Sequence, residues 1–116
     1  MYACYVQKGE SIDYRPAAAV AAGDVIVLNN LVGVARLDIA ADTLGSLAVV
    51  GVFDAPKAEV QIAVGAAVYW DAANHVVTTV AAGNPYLGKA IAAAETADET
   101  VRFLLNAPFV ATVAAE

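Results

Sequence analysis

Few side chains of this chain are of the kinds that carry out chemistry, and their spacing decides what they could do. Asp13, Asp24, Asp54 and Asp71 could in principle bring carboxylates together for general acid–base work, one holding a proton while another takes one. Each adjoins a turn signal, where Asp commonly hydrogen-bonds its own backbone, so turn chemistry is the expectation at all four. His75, the single histidine, falls at a predicted turn with no Ser, Cys or metal-ligating partner near it in sequence, the pattern of a surface histidine. Ser11 and Ser46 are the only serines, and neither lies in a Gly-x-Ser-x-Gly nucleophile elbow. With Cys4 the sole cysteine, an intramolecular disulfide and a thiolate–imidazole zinc site within one chain are both excluded. The glycines do not form a phosphate cradle, because Gly-x-Gly-x-x-Gly is absent and Gly88-Lys89 is followed by Ala90. Tyr69 beside Trp70 could present a sugar-binding platform, but on a strand such a pair usually places one ring in the core and one at the surface. The sequence therefore predicts no catalytic residue, no cofactor site and no metal site, and a protein that is not an enzyme.

Composition narrows the partners. A chain of 116 residues suits a single domain. Twelve acidic against six basic residues give a net charge of −6, and Lys8, Arg15, Arg36, Lys57, Lys89 and Arg102 are scattered singly. A nucleic-acid partner would need a basic stripe, and none is written here. The hydrophobic fraction of 60% owes much to Ala. No apolar run approaches the roughly 20 residues of a spanning helix, so no membrane partner is expected. The first fifteen residues include Lys8, Glu10, Asp13 and Arg15, which is not the layout of a secretory signal. The protein is expected to work where it is made or to leave inside an assembly.

The elements that would position these residues read as strands. Two halves echo one another: Gly33-Val34-Ala35 is answered by Gly88-Lys89-Ala90, Phe53-Asp54-Ala55-Pro56 by Leu105-Asn106-Ala107-Pro108, and Gly23-Asp24-Val25 by Gly65-Ala66-Ala67-Val68. Val25 to Leu28, Asn29-Asn30, then Leu31 to Ile39 reads as a hairpin, with Arg36 and Asp38 on the wet face opposite Ala35, Leu37 and Ile39. Leu47 to Phe53 reads as one nearly continuous apolar strand stopped by Asp54-Ala55-Pro56. Val60 to Trp70, the turn Asp71 to Asn74, and His75 to Val80 form a second hairpin. Tyr86 to Ile91 and Val101 to Leu105 follow, the last with Val101, Phe103 and Leu105 on one face. Helix is the weaker reading everywhere, since Ile39 to Leu44 and Ala92 to Asp98 are too short to be stable alone.

The predicted fold is all-β: a single compact β-sandwich or partly closed barrel of two related β units, with an N-terminal extended arm. Residues 1–15 read as that arm or as a first strand, 16–109 as the β domain with units at about 16–58 and 59–109, and 110–116 as a flexible tail. Tyr2, Tyr5 and Tyr14 mark the arm as an aromatic surface for a neighbouring subunit, since Tyr offers large contact area at low entropic cost. Trp70 joins them as a candidate interface residue.

Tyr5-Val6-Gln7-Lys8-Gly9, Ile12-Asp13-Tyr14, Gly23-Asp24-Val25, Val32-Gly33-Val34-Ala35, Gly51-Val52-Phe53, Pro56-Lys57-Ala58, Gly65 through Val68-Tyr69-Trp70-Asp71, and Leu87-Gly88-Lys89-Ala90 occur in an ordered succession. In that succession the chain resembles the phage capsid cement or decoration proteins, from Tyr5 to about Asn106. The resemblance implies a structural virion protein without enzymatic activity. It implies binding to the outer surface of an icosahedral head, commonly as a homotrimer on the major capsid protein, and stabilisation of the expanded capsid. It implies synthesis in the bacterial host cytoplasm, which suits the lone Cys4. The alternative is a carbohydrate-binding or host-adhesion module on the virion surface, with Tyr69 and Trp70 presenting a ring face.

Overall fold

Asn29 and Asn30 join two short apolar strands because Asn29 accepts the left-handed conformation of the turn, with φ 57°. Those strands are β2 (Val25–Leu28) and β3 (Leu31–Ala35), paired antiparallel from Leu28 opposite Leu31 to Val25 opposite Val34. The computed structural model describes residues 2–108, and among them are nine strands and no helix. The tail expected at 110–116 lies outside the described residues. The other strands are β1 (Ser11–Tyr14), β4 (Gly45–Ala48), β5 (Gly51–Pro56), β6 (Ala67–Asp71), β7 (Val76–Thr78), β8 (Tyr86–Ala90) and β9 (Thr100–Leu105).

Two antiparallel sheets result, one of four strands in the order β1-β4-β3-β2 and one of five in the order β5-β9-β8-β6-β7. They form a sandwich-like arrangement. Period-two alternation in β9 turns Val101, Phe103 and Leu105 inward, and they meet Val68, Trp70, Val77 and Leu87 of the same sheet. Val32 and Val34 of β3 close this core from the other sheet. The opposite face of the four-stranded sheet holds a smaller core of Val20, Ala35, Ile39 and Leu47, with Ile12, Tyr14, Ile26 and Leu28 packed against it. The larger sheet also curls toward closure: Lys57, just past β5, bridges Val77 of β7 in parallel, and the Ala58 amide donates to the Val77 carbonyl at 2.8 Å.

The first four strands of each sheet follow one plan. In both, a bridge (Val20 with Ile39, Ile62 with Ala94) precedes a Gly at positive φ (Gly23, Gly65), and that Gly amide donates to the last residue of the third or eighth strand (Ala35, Ala90). Gly33 and Gly88 then occupy matching places in β3 and β8. The units differ in one addition. β2 and β3 are joined by two residues, whereas β6 and β8 are joined by a detour that supplies β7.

Three sequence expectations are corrected. Leu47 to Phe53 is not one strand: β4 and β5 belong to different sheets, and Gly51, at φ 137°, lets the chain cross between them where a β-branched residue could not. The second arm of the first hairpin ends at Ala35, so Leu37 is 77% exposed rather than inward. Phe53-Asp54-Ala55-Pro56 and Leu105-Asn106-Ala107-Pro108 are not equivalent positions. Phe53 pairs with Phe103 in neighbouring strands, and by the spacing that relates Val20 to Ile62 and Gly23 to Gly65 the counterpart of Lys57 is Arg15.

Candidate functional site

The carboxylates named by the sequence are dispersed, and each has its own local partner or surface. The Asp24 carboxylate accepts the Ala21 amide at 3.0 Å, and Asp71 accepts the amides of Ala73 and Asn74 at 3.1 and 3.2 Å. Both are turn-forming, as expected. The Asn74 side chain donates to Asp71 at 2.8 Å and holds its carboxyl below the usual carboxylate range, with the Asn74 amide adding to the effect. Asp54 and Asp13 depart from the expectation, since both lie within strands. Asp54 forms a two-pronged pair with Arg102 of β9, at 2.9 and 3.0 Å, because the register sets the two opposite one another. The Arg102 side chain lowers the Asp54 pKa through that hydrogen bond and charge, and its own is raised in return.

His75 sits at φ 55° with its ring centroid 6.4 Å from that of Trp70. Ser11 is on β1 and Ser46 on β4. Among the described residues, His75, on the turn before β7, lies apart in the fold from Ser11 of β1 and Ser46 of β4. Among the described residues no group of three or more His, Cys, Asp or Glu could hold a metal ion. A shallow groove of about 640 Å³ runs beside β1 and β4, lined by Asp13, Arg36, Leu37, Leu44 and Ser46 among others.

The four interface candidates part company in the structure. Tyr2 and Tyr5 stand on the arm, 108% and 85% exposed. Tyr14 is in β1, half-buried against the smaller core. Trp70 is 5% exposed in the larger core, so its ring offers no open face to a sugar. Tyr69 packs edge-on against Tyr86, whose hydroxyl donates to the Ala107 carbonyl at 2.7 Å; burial, then the neighbouring Tyr69, push the Tyr86 pKa up.

Sequence reasoning missed the apolar surface. Val50 and Val52 are about half exposed, and Val52 lies opposite half-buried Leu104 on the outer face of the larger sheet. Leu37 and Leu44 are exposed beside the groove. Of these, the sequence pattern places only Leu37 inward, through a second hairpin arm that ends at Ala35 in the structure. Lys57 was missed too. It is 7% exposed, and its ammonium donates to the carbonyls of Glu95, Thr96 and Asp98 at 2.8, 3.3 and 3.2 Å. Its counterpart Arg15 donates to the Asp42 carbonyl at 2.7 Å. A cation beside Pro in each half was the available signal.

The site this geometry offers is a surface: a β body with exposed apolar side chains and an aromatic arm. A family model described as phage cement protein matches residues 6–105. No curated protein and no solved structure matches the chain. The matched span takes in all nine strands and the base of the arm, and the family implies a structural, capsid-stabilising role in the virion; the chain belongs to the phage cement protein family.

Proposed function

We propose that this protein binds the outer surface of an icosahedral phage head, on the major capsid protein, and stabilises the expanded shell. The family match across residues 6–105 carries the reading. On this reading the protein is a homotrimer, is made in the cytoplasm of the bacterial host, and performs no chemistry. Stabilisation follows from linkage: a molecule that binds only the assembled, expanded shell lowers its free energy relative to the ruptured one by the free energy of binding. Many modest contacts suffice, because each shell offers many sites. The net charge of −6 suits a protein that faces solvent and stays away from the packaged genome. Tyr2 and Tyr5 on the arm, with Val50 and Val52 on the body, are the contact residues proposed.

Heating expanded shells with and without saturating protein tests the stabilising role. The protein should raise the temperature at which shells admit a DNA-binding dye. An unchanged rupture temperature at full occupancy would overturn it.

A further inference from the structure

We propose that the open edge of β2 in one copy receives the N-terminal arm, residues 2–9, of a second copy as an added strand. The proposal deepens the homotrimer reading by naming the segment that is exchanged.

The edge itself is the first observation. In the ladder with β3, Leu28 and Ile26 face Leu31 and Gly33 across a two-residue turn, so antiparallel geometry turns the amides and carbonyls of Val25 and Val27 away from β3. The strand reads Val-Ile-Val-Leu, and Val27 is 39% exposed. It carries no charge, proline or bulge, which are the devices that blunt an exposed edge. The opposite edge has them: β1 carries Asp13 and runs into Arg15-Pro16.

The second observation is the internal comparison. β6 holds in the five-stranded sheet the place that β2 holds in the four-stranded one, and there the outer edge is occupied, with Tyr69, Trp70 and Asp71 paired to Thr78, Val77 and Val76 of β7. One unit supplies its own covering strand and the other does not.

The third is the arm. Residues 2–9 lie in no strand, and Tyr2, Tyr5 and Val6 are 108%, 85% and 85% exposed. Tyr2, Cys4 and Val6 fall on one side of an extended chain and Ala3 and Tyr5 on the other, with no charge before Lys8. The eight residues span about 26 Å when extended. Gly9, at φ 86° with open space around it, sets the direction in which the arm leaves β1. The arm departs from the edge opposite β2, three strand spacings or about 14 Å across the sheet, and its length suffices to pair with all four residues of the β2 edge of a second copy. Arm to edge is a head-to-tail contact, the kind that builds a ring when the rotation between copies closes.

Sedimentation equilibrium compares the full chain, a chain lacking residues 2–9, and Val27→Pro. Proline removes the outward amide of Val27, which lies opposite Val32 in a pair that makes no ladder hydrogen bond. The full chain, 11.8 kDa per copy, should associate, and each variant should sediment at the mass of its own monomer. A labelled synthetic peptide of residues 1–10 should bind the truncated chain saturably and lose at least tenfold in affinity when Val27→Pro is added. If Val27→Pro does not fold, by circular dichroism, Val27→Lys takes its place, blocking the edge by charge. A truncated chain that keeps the full oligomer mass, a monomeric full chain, or peptide binding indifferent to Val27 would each overturn the proposal. A monomeric full chain whose binding to shells is lost in Val27→Pro but kept on truncation would instead assign the edge to a capsid strand. Shell binding by a chain that fails all of these would leave the capsid role standing and the arm exchange refuted.

Discussion

Asn106 donates its side-chain amide to the carbonyl oxygen of Val32 at 2.7 Å, joining the residue just past β9 to the start of β3 in the other sheet. The same nitrogen donates to the Val49 carbonyl at 2.8 Å, so one carboxamide ties the two sheets where the chain crosses between them. Asn suits the position twice over, because its backbone holds φ 54°.

Asn106→Ala should therefore cost about 2 kcal/mol, leaving the carbonyls of buried Val32 and Val49 without their donor. The drop in melting temperature should be roughly 10 °C for a domain of this size. An unchanged melting temperature would mean that the tie contributes nothing to the packing of the sheets.

Lys57 is held by three carbonyls of the turn that leads into β9. Lys57→Met keeps the stem but removes every donor, and should destabilise by about 1.5–3 kcal/mol in chemical denaturation. Arg15→Met, which loses one exposed bond, should cost less than about 1 kcal/mol. Equal losses would contradict the difference in burial.

Gly88→Ala should be far worse than its size suggests. A Cβ there would collide with the carbonyl oxygen of Leu104 on the neighbouring strand, and backbone cannot swing aside as a side chain can. The expected loss is about 3 kcal/mol or more, read as failure to give a soluble, cooperatively melting protein. Gly83→Ala, at a loop with open space but φ 78°, should fold at a modest cost.

The Asp54–Arg102 pair gives an acid dependence of known sign. The folded pKa of Asp54 lies below its unfolded value, so the pair's contribution is present above the unfolded carboxylate pKa and is lost as pH falls through the folded one. Both groups are more than half exposed, so the effect is small and salt-sensitive. Asp54→Asn should narrow the gap to the native protein on acidification, and added salt should narrow it at neutral pH. A gap that widens in acid would contradict the assignment.

The all-β class and the alternation of β9 were legible because period two and turn residues are local signals: Asn29 and the Asp71–Asn74 turn stand where their chemistry placed them. The crossing at Val50-Gly51 was not, since an apolar run reads alike whether it stays in one sheet or passes between two. The Lys57 cap and the Asn106 tie depend on residues 38 to 74 positions apart, beyond any local pattern. For the same reason Trp70 was read as a surface candidate although its neighbours enclose it. Tyr2 and Tyr5 were legible as exposed because nothing in their segment could bury them.

Co-sedimentation of the purified protein with empty shells of the same phage's major capsid protein, before and after expansion, tests the capsid reading most directly. Saturable binding to expanded shells alone is expected, with a fixed copy number per shell. Absence of binding to either form would contradict it.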